Sequence, residues 1–179
     1  MRNGATEMVT KFRRGEYVKY STNGVCLVED INSTDFNPHA KGTIYYILRP
    51  ISANSTTIFV PTDNELLVSK MRRILSKEEI DSAILSIYKD KIEWIDDKKE
   101  RVNRFNEILK GDDPVQLLRM AGCIYVKREE LASKGKKLLS ADASIFEQTE
   151  KLIENEFSFV LQIMPEKVSE YIKETLNNK

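Results

Sequence analysis

Residues Ile74–Tyr88 read ILSKEEIDSAILSIY, and within them the chain changes its period. Ser76 and Glu79 have capping-box spacing, in which each side chain accepts from the other residue's backbone N–H and starts a helix. Ile80, Ala83, Ile84, Ile87 and Tyr88 then recur at helical spacing, so this helix has one apolar face. Everything before the switch reads as strands and everything after it as helices. That order predicts an α+β chain of two domains.

Working back from Ser76, the runs EYVKY (16–20), VCLVEDI (25–31), TIYYILR (43–49) and TTIFVP (56–61) are rich in β-branched and aromatic residues. Ser21-Thr22-Asn23-Gly24, Asn37-Pro38, Lys41-Gly42 and Ser52-Ala53-Asn54-Ser55 supply turn chemistry between them. Gly15 and Asn23-Gly24 suit tight reversals. Tyr45 and Tyr46 are adjacent on one run, so one ring points inward and the other outward. Four or five such strands predict a small closed or nearly closed barrel.

Working forward, Val102, Phe105, Ile108 and Leu109 form the apolar stripe of a helix ending near Gly111. Asp113-Pro114 restarts the chain with an N-cap acid and a proline in the first helical position. Leu117, Leu118, Ala121, Ile124 and Tyr125 give the next helix its core face. Ser140 is placed to cap a fourth helix, whose buried positions are Phe146, Thr149, Leu152, Ile153, Glu156, Phe157, Val160 and Leu161. Pro165 is expected to end it, and Val168, Tyr171, Ile172 and Leu176 mark a short terminal helix. The expected division is a flexible N-terminus at 1–11, a barrel at 12–72 and an all-α helical bundle at 73–179.

Composition narrows the function classes. The chain has one histidine, His39, and two cysteines, Cys26 and Cys123, without metal-ligand spacing. A zinc site or a Cys–His dyad therefore has no raw material. The cysteines read as reduced, buried thiols of a cytoplasmic protein. GxxxxGK[ST], GxGxxG and GxSxG are all absent, so phosphate-loop, dinucleotide and serine-hydrolase chemistry lack their key residues. Asp96-Asp97 and Asp112-Asp113 sit where helix starts favour negative charge. No enzyme, cofactor, metal or small-molecule substrate is expected, and no apolar run is long enough for a membrane span.

Charge is neutral overall but uneven. Residues 98–137 carry eleven Lys/Arg against six Asp/Glu, a balance of +5, between flanks (76–97 and 138–179) of −4 each. The chain's one tryptophan, Trp94, immediately precedes this basic middle. From its residue type alone, the ring either clamps the first helix of the bundle to the barrel or forms part of an interface.

The order of parts resembles the CarD/CdnL family. In FRRGEYVKYSTNGVCLVEDI (12–31), Phe12, Gly15, Glu16, Val18, Tyr20, Gly24 and Val25 follow the family's opening pattern, with Glu16 standing for the usual aspartate. TTIFVPTDN (56–64) matches the family's strand ending in V-P-x-(D/E)-N. Trp94 followed by a basic helix, Leu109-Lys110-Gly111-Asp112, and Gly135-Lys136-Lys137-Leu138-Leu139-Ser140 before a long helix continue the match to about residue 162. The resemblance implies an SH3/Tudor-like barrel that binds the β subunit of bacterial RNA polymerase, and a helical domain that touches promoter DNA. It further implies that the tryptophan wedges at the minor groove and stabilises the open bubble.

The expected polymerase contacts are Tyr45, Ile47, Arg49, Thr57, Ile58, Phe59 and Val60, with an edge strand pairing through its main chain. The expected DNA contacts are Trp94, Lys98, Lys99, Arg101 and Arg104, with Lys127, Arg128, Lys134, Lys136 and Lys137 as a second line of phosphate contacts. Three departures matter: Phe59 stands where some relatives have arginine, Ile95-Asp96-Asp97 follow the tryptophan in place of basic residues, and LLSADAS lacks the family's lysine. The last two lower the positive charge, so DNA binding is expected to be weak, largely sequence-nonspecific and dependent on attachment to polymerase. One alternative is a polymerase-bound adaptor with little DNA binding. Another is a small SH3-like RNA-binding barrel, disfavoured because residues 1–75 carry only ten Lys/Arg against seven Asp/Glu.

Overall fold

A computed structural model describes residues 10–33, 42–52 and 55–177. His39, the Asn37-Pro38 turn and the first nine residues of the expected flexible N-terminus lie outside the described residues. The chain divides into two compact units. One holds the described residues up to Tyr20 together with Val25–Arg73; the other holds Ser21–Gly24 and everything from Ile74.

The first unit is a five-stranded antiparallel sheet made of β1 (Tyr17–Tyr20), β2 (Val25–Ser33), β3 (Ile44–Pro50), β4 (Ile58–Pro61) and β5 (Met71–Arg73). Its order is β4-β3-β2-β1-β5, an open ladder with β4 and β5 at its ends. A β4–β5 pairing that would close it into the expected barrel is not among the ladders of the described residues. Period-two alternation builds the core: Tyr46 and Leu48 of β3 meet Val28, Val18, Val60 and Met71 in one buried cluster. Phe12 packs edge-on against Tyr46, at 6.1 Å between centroids, and its N–H donates to the Tyr46 hydroxyl. Gly15 adopts φ +86° while its N–H donates to Val28 O at 2.8 Å, a backbone conformation that an L side chain would strain.

Two short elements had no sequence forecast. They are β5 and the single-turn helix α1 (Glu65–Val68), whose N-cap Asn64 accepts from Leu67 N–H. Three and four residues are too few to establish a period. The expected two-residue reversal at Asn23-Gly24 is instead a 3-10 turn over Ser21–Asn23, followed by Gly24 at φ +78°.

The second unit contains α2 (Lys77–Ser86), α3 (Lys98–Gly111), α4 (Pro114–Ser133), α5 (Ser140–Leu161) and α6 (Val168–Asn177), with a 3-10 turn at Pro165–Lys167. The Ser76/Glu79 capping box is formed reciprocally. Asp97 and Asp113 cap α3 and α4 by accepting from Glu100 and Gln116 N–H, each at 2.8 Å. The core joins Ile80 and Ile84 of α2, Phe105 of α3, Met120 and Ile124 of α4, and Phe157 of α5.

Several expectations for the helices shift in detail. Ser140 is the first residue of α5, whose N-cap is Leu139 with no side-chain hydrogen bond. α5 stops at Gln162, in the left-handed conformation with φ 55°, before Pro165 is reached. α2 ends at Ser86, so Tyr88 falls beyond it and is exposed. Tyr125, expected in the core of α4, is 40% exposed because the amphipathic stripe is narrower than its apolar residues suggest.

Candidate nucleic-acid and protein interfaces

The segment between α2 and α3 carries Trp94, and the side chain that fixes it is Arg101. Arg101, expected at the surface facing phosphates, is only 3% exposed. Its Nε and Nη2 donate to Oδ1 and Oδ2 of Asp142, both at 2.9 Å, in a bidentate pair buried on both sides. Its Nη1 donates to the carbonyls of Ile95 at 2.6 Å and Asp96 at 3.1 Å. Four of its five N–H groups are thus used inside the unit. The physical reason for this correction is helical phase. Position 101 lies four before Phe105 on α3, on the buried stripe, and Asp142 at the start of α5 supplies the counter-charge a buried guanidinium requires. The Asp142 hydrogen bonds push the Arg101 pKa above the usual arginine value, against the opposing effect of desolvation.

Trp94 is partly buried against the helical core. The Arg101 guanidinium carbon lies 4.3 Å from the indole centroid, and the Phe105 ring meets the indole edge-on at 6.2 Å. Lys127 Nζ stands 5.6 Å from the same centroid. The ring is therefore held by a cation and an aromatic edge while part of it remains accessible.

The other expected DNA contacts divide into free and engaged groups. Lys98 and Lys99 are exposed on the first turn of α3. Arg104 is exposed and reaches Glu107 only at 3.5 Å. Lys136 and Lys137 are exposed in the connection after α4. Lys127 and Lys134 both bind Glu130, at 3.0 and 2.7 Å. Hydrogen bonds from Lys134 first, then Lys127, pull the Glu130 pKa down to about 2. Arg128 lies over Tyr125 and Phe146, at 4.9 and 5.0 Å from their centroids, and 3.5 Å from a Glu129 oxygen. Within α4 the basic line is thus substantially neutralised by its own acids.

A groove that the sequence reading missed runs past Trp94, and α4 lines it with Arg119, Gly122, Cys123, Val126, Lys127 and Glu130. These positions repeat at three and four residues, so they share one helix face. The same spacing is visible in the sequence, where the stripe Leu117, Leu118, Ala121 and Ile124 on the other face of α4 is the more apolar of the two. Cys123 is partly buried here, and burial raises its thiol pKa; Cys26, in the sheet core, is raised to about 11 by burial.

On the sheet, alternation sorts the expected polymerase contacts. Tyr45, Ile47, Arg49 and Phe59 point away from the core and are partly exposed. The Tyr45 and Phe59 rings meet edge-on at 6.4 Å, and Phe59 pairs across the strands with Ile47. Arg49 forms a bidentate pair with Glu29, its Nη2 2.7 Å from Oε1 and its Nε 3.2 Å from Oε2. Val60 is fully buried and Ile58 packs onto the core, so these two side chains are not on the outer face. They have the opposite phase to Phe59 on a pleated strand. Thr57 is exposed but precedes β4, which starts at Ile58. Because β4 has one neighbour in the ladder and β3 has two, any strand added from outside on this side pairs with β4.

None of the helices among the described residues is long and apolar enough to cross a membrane. The family model described as the CarD-like/TRCF RID domain matches residues 12–75 and stops before α2. No curated protein matches the chain.

Proposed function

We propose, from the match of residues 12–75 to the family model of the CarD-like/TRCF RID domain, that the protein is a transcription regulator that docks on RNA polymerase and braces the open promoter. In this reading the sheet docks on the polymerase β subunit. The apolar outer patch of Tyr45, Ile47 and Phe59 supplies the contact, and the free edge of β4 supplies main-chain hydrogen bonds. The helical unit faces promoter DNA. Trp94 wedges at the minor groove, while Lys98, Lys99, Arg104, Lys136 and Lys137 meet phosphates.

The observation that carries this reading is the family match at 12–75. The held, partly accessible Trp94 ring supports its second half: an indole fixed by Arg101 and Phe105 loses little further freedom when it meets a base step. Because Arg101, Lys127 and Lys134 are engaged by acids, DNA binding is weak in isolation and gains from the effective concentration that polymerase attachment provides. Stabilising the open complex by about 1.4 kcal/mol shifts its equilibrium tenfold.

The neutralisation of Lys127 and Lys134 by Glu130 favours a second reading, in which the helical unit docks another protein and the chain is an adaptor. Two substitutions in the full-length chain separate the possibilities. Phe59→Asp abolishes capture of the polymerase β subunit from a bacterial lysate under either reading; retained capture sinks the docking surface. Trp94→Ala leaves capture intact and shortens the open-complex lifetime on promoter DNA. An unchanged lifetime leaves only the adaptor.

A further inference from the structure

The groove beside Trp94 has a volume of about 340 Å³, at the small end of ligand-sized clefts, which run from ~300 to ~1,000 Å³. Trp94, Ile87 and Val126 give it apolar, partly aromatic walls. Three cations line it, Lys91, Arg119 and Lys127, against one carboxylate, Glu130. The Arg119 side chain is 14% exposed, and its Nε is buried with no hydrogen-bond partner. Its Nη2 meets Asp90 Oδ2 at 3.1 Å and the Ser86 carbonyl at 3.5 Å. The Asp90 side chain is 77% exposed, so the oxygen on this guanidinium belongs to a solvated, displaceable carboxylate.

A flat apolar wall next to an incompletely satisfied guanidinium suits a planar ring with an anion one bond system away. We propose that this groove binds an unpaired nucleotide, its base against Trp94 and its phosphate replacing Asp90 on Arg119, with Lys91 and Lys127 at the rim. The inference rests on the DNA reading above and deepens it: the helical unit holds a base released from the duplex as well as propping the step it left. Aromatic stacking tolerates any base, and the phosphate contact is common to every nucleotide, so the site is indifferent to sequence. The same chemistry serves a strand or a free nucleotide.

Trp94 is the chain's one tryptophan, so its emission in the full-length protein reports on the groove. The titrants are a short single-stranded oligodeoxynucleotide, the duplex made from it, thymidine monophosphate and inorganic phosphate. The single strand is expected to quench Trp94 and to bind more tightly than the duplex. Arg119→Met weakens binding about tenfold, the loss of one charge-assisted contact. Asp90→Asn tightens it, a gain that misfolding cannot imitate. Gly122→Leu fills the groove and abolishes quenching, with an unchanged helical circular dichroism melt as the check on the fold; the added Cβ itself meets only Ile87 Cγ2, at 3.8 Å.

Equal affinity for thymidine monophosphate and for the strand supports the site and assigns it to a free nucleotide; tighter strand binding assigns it to DNA. Absence of quenching, equal response to inorganic phosphate, preference for duplex, or indifference to both Asp90→Asn and Arg119→Met overturns it. If quenching fails while Trp94→Ala still shortens the open complex, only the groove is lost. If quenching holds while that lifetime is unchanged, only the promoter reading is lost.

Discussion

Replacing Asp142 by asparagine keeps the side chain's shape and removes its charge, leaving Arg101 as a buried cation without its bidentate counter-charge and with only the more distant Asp96 and Asp97 to offset it. Both side chains are almost completely buried, at 3% and 1% exposure, so solvent screening offers little relief. Removing one partner of a buried pair costs about 3–5 kcal/mol, because the remaining charge still lacks solvation. For a unit of roughly 100 residues, that corresponds to a fall in Tm on the order of 15–30 °C. Arg101→Met should cost a similar amount, since it strands Asp142 and frees the carbonyls of Ile95 and Asp96. The double variant Arg101→Met/Asp142→Leu should be far milder than the sum of the two, as apolar residues of similar volume replace buried pairs at little cost.

Urea unfolding of the wild type, Arg101→Met, Asp142→Leu and the double variant, followed by helical circular dichroism and by Trp94 emission, gives the coupling energy, with Asp142→Asn measured alongside. Arg101 also lies against the indole, so Trp94 emission should shift to the red in the single variants before global unfolding. A cost below about 1 kcal/mol for Asp142→Asn, or additive effects in the double variant, would refute the claim that this pair anchors the tryptophan segment.

Four further outcomes follow from the same geometry. Glu130→Gln releases Lys127 and Lys134 and should raise DNA affinity at low salt while steepening its salt dependence, as an electrophoretic series over ionic strength will show. Glu130 titrates well below the ordinary carboxylate range, so its contribution is fully present above that range and is lost as pH falls through about 2; carbon-detected NMR titration of its carboxyl reads this midpoint directly. Ser76→Ala removes the hydroxyl that accepts from Glu79 N–H and should cost the helical unit about 1 kcal/mol in urea unfolding. Alkylation at pH 8 in the native state should modify partly buried Cys123 slowly and leave Cys26 untouched, since burial keeps that thiol protonated up to about pH 11.

Local signals were legible where they repeat. Alternation along β3 put one of Tyr45 and Tyr46 inside and the other outside, the structure making Tyr46 the inner one, and spacing on α3 placed Phe105, Ile108 and Leu109 in the core. The caps at Ser76 and Asp113 were readable because each hydrogen bond spans only three residues, whereas Asp96-Asp97 marked only the neighbourhood of a helix start, where Asp97 is the cap. β5 and α1 escaped because they are shorter than any period. Val60 was assigned to an exposed contact because a motif match carries no phase, whereas the pleat puts alternate side chains on opposite faces.

The sequence by itself determined that strands precede helices, where most of the elements begin, and that one indole stands at the entrance to a basic segment. Only the tertiary structure decided which of the cations are surface groups. Arg101 and Arg104 look alike in the sequence, yet one is buried on Asp142, 41 residues away, and the other is exposed. The pairing of Lys127 and Lys134 with Glu130, and the meeting of Trp94 with Arg119 in one groove, were decided the same way. A charge acquires its role from its solvation and its nearest counter-charge, and both are set by packing between elements that no local window of sequence contains.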